Sequence, residues 1–115
     1  MSITIYHNPR CSKSRSTLAI LEEKGVDFEI IKYLDTPPNA DELKALLGEL
    51  KIDARSLIRT SEALYKDNNL ADESLSEEML IQAMIANPIL IERPIVKTDK
   101  GVVIGRPPEN ILTII

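Results

Sequence analysis

A chain of 115 residues, 43% hydrophobic and 28% charged, has the size and composition of one folded domain, which excludes an extensively disordered chain. Fourteen Lys and Arg against eighteen Asp and Glu give a net charge of −4, which argues against nucleic acid as the main partner because phosphate binding needs a basic face. No apolar run approaches the ~20 residues of a membrane span and no signal segment precedes the strand-like start, so a soluble cytoplasmic protein with no membrane partner is expected.

Residues 2–6 alternate and are β-branched, which predicts a strand broken by His7-Asn8-Pro9. From about Arg10 to Lys24 the spacing predicts a helix, with Gly25 at the position that follows a helix end. Val26 to Tyr33 reads as a second strand, so the opening is a β-α-β unit with parallel strands. After Thr36-Pro37-Pro38, Asn39 with Glu42 three residues on predicts a capped helix whose inner face is Leu43, Leu46, Leu47 and Leu50. Two short helices are expected between Ala54 and Lys66, the second capped by Thr60 or Ser61. Another runs from Ser76 to Ala86, with Met79, Leu80, Ala83 and Met84 as its core stripe and Asn87-Pro88 as its stop.

Ile95-Val96-Lys97 and Val102-Val103-Ile104 read as a β-hairpin around Thr98-Asp99-Lys100-Gly101, with Gly101 at positive φ. Residues 108–114 suggest a terminal helix. The order β-α-β, helical block, β-β-α predicts an α/β fold in one domain spanning 1–115, with a helical insertion at about 39–88. The acids of residues 72–78 read as a solvated helix start, and no phosphate-loop or dinucleotide glycine pattern occurs.

Chemistry concentrates at residues 7–15, His-Asn-Pro-Arg-Cys-Ser-Lys-Ser-Arg. Cys11 is the only cysteine, so no intramolecular disulfide can form; with a single histidine as well, no metal site of the usual kind is expected. A cysteine at a strand-to-helix turn faces unpaired N–H groups and the positive end of the helix dipole, which favour thiolate. Arg10, Lys13 and Arg15 add charge, with no acid in the segment. The plain alternative, a small buried hydrophobe, fits poorly between Arg10 and Ser12. His7 is either a hydrogen-bonding strand terminus or a charge partner for the thiolate. Ser14 either satisfies backbone groups or donates its hydroxyl to the sulfur. Arg59, Arg93 and Arg106 each sit in an apolar or prolyl setting at an element boundary. Singly, each can snorkel or pair with a carboxylate such as Glu92 or Glu109; converging on a thiolate, they would hold a tetrahedral oxyanion.

The 7–15 run, with Arg59, Glu92-Arg93-Pro94-Ile95 and Gly105-Arg106-Pro107-Pro108-Glu109, resembles the glutaredoxin-dependent arsenate reductase (ArsC) family across essentially the whole chain. Arg10 and Ser12-Lys13 differ from the plasmid-borne reductases, and the chain ends sooner after Arg106, which places the resemblance with a chromosomal branch. The resemblance implies a thioredoxin-like fold with Cys11 as nucleophile and Arg59, Arg93 and Arg106 as oxyanion ligands. It implies that His7 and Ser14 help hold the thiolate and that Pro94 is a cis-proline beside the site, with Asn8, Arg15 and Pro94 as supporting residues. Arsenate, glutathione and glutaredoxin are the implied partners, with glutathione a co-substrate and no bound cofactor. Two other activities compete: a monothiol oxidoreductase acting on glutathione mixed disulfides, and a non-catalytic module like the Spx-type regulators. Ser14 replaces the second cysteine of the Spx switch, and the three arginines exceed what a monothiol enzyme needs.

Overall fold

Residues 2–115 are described by a computed structural model, in which the chain divides into two compact units. Of the described residues, the first joins 2–36 to 93–115, and the second is the intervening segment 37–92.

The first unit is a four-stranded sheet with a thioredoxin-like order. Strand β1 (Thr4–Tyr6) leads through α1 (Ser12–Glu23) to β2 (Glu29–Ile31), and β3 (Ile95–Thr98) and β4 (Gly101–Ile104) form the closing hairpin. The spatial order is β2-β1-β3-β4. β2 runs parallel to β1, with Ile5 opposite Ile30; β3 runs antiparallel to β1, with Ile5 opposite Val96. Gly25 ends α1 at φ +67°, its N–H donating to Glu22 O, and Gly101 closes the hairpin at φ +146°, as the sequence indicates. The core gathers Ile3, Ile5, Leu21, Val96, Ile111 and Ile114. Ile111 comes from Pro108–Thr113, a 3-10 helix rather than the expected α-helix, and Ile114 follows that helix directly. Strand β2 is shorter than 26–33 because β1 offers only three partners; beyond Ile31 the chain turns, Asp35 N and Thr36 N both donating to Lys32 O. Helix α1 begins at Ser12 instead of Arg10 because the intervening residues build the cysteine loop.

The second unit holds α2 (Ala40–Leu50), α3 (Ala54–Leu57), α4 (Ala63–Asp67), α5 (Glu77–Ala86) and a 3-10 turn at Pro88–Leu90 that the sequence reading did not anticipate. Asn39 caps α2 by accepting from Glu42 N at 2.8 Å, and Ser76 caps α5 by accepting from Met79 N. Helix α5 packs on α2, α3 and the 3-10 turn. Two expectations are corrected here. Glu62, not Thr60 or Ser61, stands at the N-cap of α4, because Thr60 and Ser61 form the preceding turn. Met79 is 57% exposed; the buried stripe is Leu80, Ile81 and Met84, the set that one helical face brings together. Among the described residues no helix is long and apolar enough to cross a membrane.

Candidate active site

The loop between β1 and α1 delivers the cysteine, and Asn8 shapes that loop. Asn8 is 2% exposed and uses three groups: its N–H donates to Ser14 Oγ (3.0 Å), its carbonyl accepts from Cys11 N (3.0 Å) and its Oδ1 accepts from Arg10 N (3.0 Å). Arg15 Nη1 adds a bond to Pro9 O at 3.0 Å. Cys11 is left at the N-cap of α1 with an extended backbone (φ −95°, ψ 125°), its carbonyl accepting from Arg15 N.

The electrostatics favour a thiolate at that position. Partial burial acts to raise the Cys11 pKa, but the Ser14 N–H, a hydrogen bond from the Arg93 guanidinium, the Lys13 N–H and the Arg93 charge together hold it below its ordinary value. Cys11 itself makes no side-chain cap hydrogen bond, unlike Asn39 on α2 and Ser76 on α5. Its sulfur stands where an N-cap oxygen ordinarily accepts, a position that favours a negative charge. Arg106 Nη1 approaches Sγ at 3.9 Å and also donates to Arg93 O at 3.4 Å.

His7 and Ser14 support the loop. His7 Nδ1 and Ser14 Oγ share a 2.6 Å hydrogen bond, with 5% and 0% of the two residues exposed. Burial, then the charges of Lys32 and Arg15, lowers the His7 pKa, so the ring is neutral near pH 7. A neutral ring brings no charge to the sulfur and acts through Ser14. The Ser14 hydroxyl is engaged by Asn8 and His7; its backbone N–H serves the thiolate.

The two arginines of the first unit arrive from the hairpin's flanks. The Arg93–Pro94 peptide is cis, as is Arg106–Pro107, and Arg93 is 8% exposed. Between them lies a contact that the sequence reading missed. Gly105 N donates to Pro94 O at 2.8 Å, and a Cβ on Gly105 would lie 2.6 Å from Thr17 Oγ1 and 2.8 Å from Pro94 Cγ. Thr17, fully buried on α1, donates to Lys13 O at 2.8 Å. The end of β4 thus lies flush against α1 and brings Arg106 to the sulfur. The available signal was a glycine immediately before Arg106-Pro107-Pro108.

Arg59 belongs to the second unit. Its Nε donates to Glu62 Oε1 (3.2 Å) and its Nη1 to Glu92 Oε1 (2.8 Å), while its backbone N–H donates to Leu90 O beside the Ile58–Ile91 bridge. The sequence reading named Glu92 as a partner and missed Glu62. The first unit therefore brings together His7, Asn8, Cys11, Ser14, Arg15, Arg93, Pro94 and Arg106, and Arg59 is oriented within the second by two carboxylates.

Known proteins resemble this chain over nearly its whole length. The ArsC family model matches residues 6–114. An uncharacterized protein of Escherichia coli K12, YfgD, is 57% identical over 114 residues, covering 98% of this chain and 96% of that one. An arsenate reductase of Neisseria meningitidis serogroup A is 46% identical over 110 residues, 95% of this chain and 94% of its own. The solved arsenate reductase of Vibrio cholerae superposes with a TM-score of 0.96 at 50% identity, covering 100% of this chain and 98% of that one. With a matching family model across nearly its full length and a shared fold, the chain belongs to the ArsC family.

Proposed function

We propose that this chain reduces arsenate to arsenite, with glutathione and glutaredoxin as reductants. One observation carries the reading: a thiolate-favouring cysteine at a helix N-terminus with the Arg93 and Arg106 guanidiniums on it. That combination of nucleophile and anion-binding donors suits a tetrahedral oxyanion. The names of relatives at 42–46% identity support the same substrate.

In this mechanism arsenate binds at Arg93, Arg106 and the first turn of α1, and Arg59 joins the oxyanion ligands on the strength of the family resemblance. The Cys11 thiolate attacks arsenic, forming an S–As bond while one oxygen leaves as hydroxide or water; arsenic remains As(V). Two electrons are then required. Cys11 is the only cysteine, so both come from outside thiols: glutathione adds to arsenic, displacing a second oxygen as water, and a glutaredoxin thiol takes up the glutathione sulfur as a mixed disulfide. Arsenic falls to As(III), the S–As bond is hydrolysed, and arsenite leaves with Cys11 regenerated. Overall, arsenate and two thiols become arsenite, one disulfide and water. His7, Asn8, Ser14, Arg15 and Pro94 act as positioning residues. A reducing cytoplasm supplies the thiols.

The test is arsenite production with glutathione, glutaredoxin and a recycling system. Cys11→Ser abolishes turnover, and Arg106→Ala and Arg59→Ala lower kcat/KM for arsenate by about 100-fold, the loss of a charge-assisted donor pair. A wild-type protein that makes no arsenite while its thiol still titrates low would instead favour the monothiol activity.

A further inference from the structure

Beside the cysteine loop the first unit contains a recess of about 320 Å³. Asn8, Pro9 and Arg10 line it from the loop; Lys32, Leu34 and Asp35 line it from the turn after β2. The turn is closed on the Lys32 carbonyl by Asp35 N (2.9 Å) and Thr36 N (3.0 Å), which holds Lys32 and Asp35 on one rim. His7 also faces the recess, and the Lys32 charge is felt at its ring. Among the described residues, no ion pair takes up the charged ends of Arg10, Lys32 or Asp35. The arsenate mechanism uses none of the three.

Two cations and one carboxylate do not suit a small oxyanion, because Asp35 would repel it. They suit a zwitterion with two carboxylates and one ammonium group. We infer that this recess is the docking subsite for glutathione, with Arg10 and Lys32 receiving its two carboxylates and Asp35 its ammonium group. At neutral pH glutathione carries a net charge of −1, complementing the +1 of the three side chains. An extended tripeptide spans about 10 Å. Arg10 adjoins Cys11 in the chain, and Asn8 O accepts from Cys11 N, so a thiol docked here lies within that reach of the nucleophile's loop. The inference rests on the proposed reductase activity for its choice of ligand.

The subsite is tested without arsenate, by NMR titration of S-methylglutathione, which has no free thiol, into the wild-type chain. Amide shifts are expected at Asn8, Arg10 and residues 32–35. Lys32→Ala and Asp35→Asn each weaken binding about tenfold, and Arg10→Ala with Lys32→Ala abolishes it at millimolar ligand. Lys24→Ala, which removes the same charge from the opposite end of α1, leaves the affinity unchanged. Wild-type affinity in Lys32→Ala, or shifts confined to other surfaces, would overturn the subsite. In turnover assays Lys32→Ala raises KM for glutathione and not for arsenate; an unchanged glutathione KM would sink the subsite while leaving the reductase reading intact. Binding here by a chain that makes no arsenite would uphold the subsite and sink that reading.

Discussion

At Cys11 burial opposes the charged form, while two backbone N–H groups and Arg93 favour it, and the favourable set wins. Arg93 contributes both a hydrogen bond and a charge, so Arg93→Ala should raise the thiol pKa and slow alkylation by iodoacetamide at pH 7 several-fold. Arg93→Lys, which keeps the charge but not the planar fork, should restore only part of the rate. His7 gives a pH dependence whose sign is fixed by its depressed pKa. As pH falls, the unfolded chain takes up the proton before the folded one does. The stability that neutral His7 contributes is thus complete above its ordinary pKa of ~6.5 and is lost as pH falls through the lower folded value. Melting temperatures followed from pH 7 to 5 should drop less steeply in His7→Gln than in the wild type.

At the scale of elements, features with local causes were legible in the sequence and those needing a distant partner were not. Asn39 with Glu42 and Gly25 after Lys24 mark helix ends through their own neighbours, and both are where the pattern places them. The length of β2 depends on how many residues β1 offers, which no pattern within 26–33 records. Met79 has the apolar character of a core residue, yet the unit is closed by Leu80, Ile81 and Met84 on the neighbouring arc of the helix. Cys11 and Arg106 stood out as residue types in unusual settings, but Gly105 has meaning only against Thr17 and Pro94. A methyl group there must displace the buried Thr17 side chain and the Pro94 ring, so Gly105→Ala should cost about 1–3 kcal/mol in denaturant unfolding. It should also displace Arg106, raising KM for arsenate more than it lowers kcat. Thr17→Ala, which empties part of the contact, should rescue stability in the double variant.

For the whole molecule, the first unit is assembled from the two ends of the sequence. Ile111 and Ile114, near the chain's end, share a core with Ile3 and Ile5, near its start. Thr98 Oγ1 fastens this end by donating to Ile114 O at 2.8 Å. Ile111 is fully buried, and Ile111→Ala should destabilise the protein by about 2–5 kcal/mol in urea titration, although the residue lies far from Cys11 in sequence. The insertion is visible in sequence as a change of period from two to 3.6 and back, whereas the shared core of the two ends is not, because nothing local links them.

The arginines at the sulfur differ in one respect that bears on how an anion is captured. Arg93 is buried and Arg106 is exposed. Folding has already fixed the first side chain, so the ordering entropy of a long guanidinium arm, up to about 2 kcal/mol, falls at binding mainly on Arg106. The site thus has one stationary jaw and one movable jaw. In the proposed mechanism the stationary jaw would set where the oxyanion sits, and the movable one how quickly it is released.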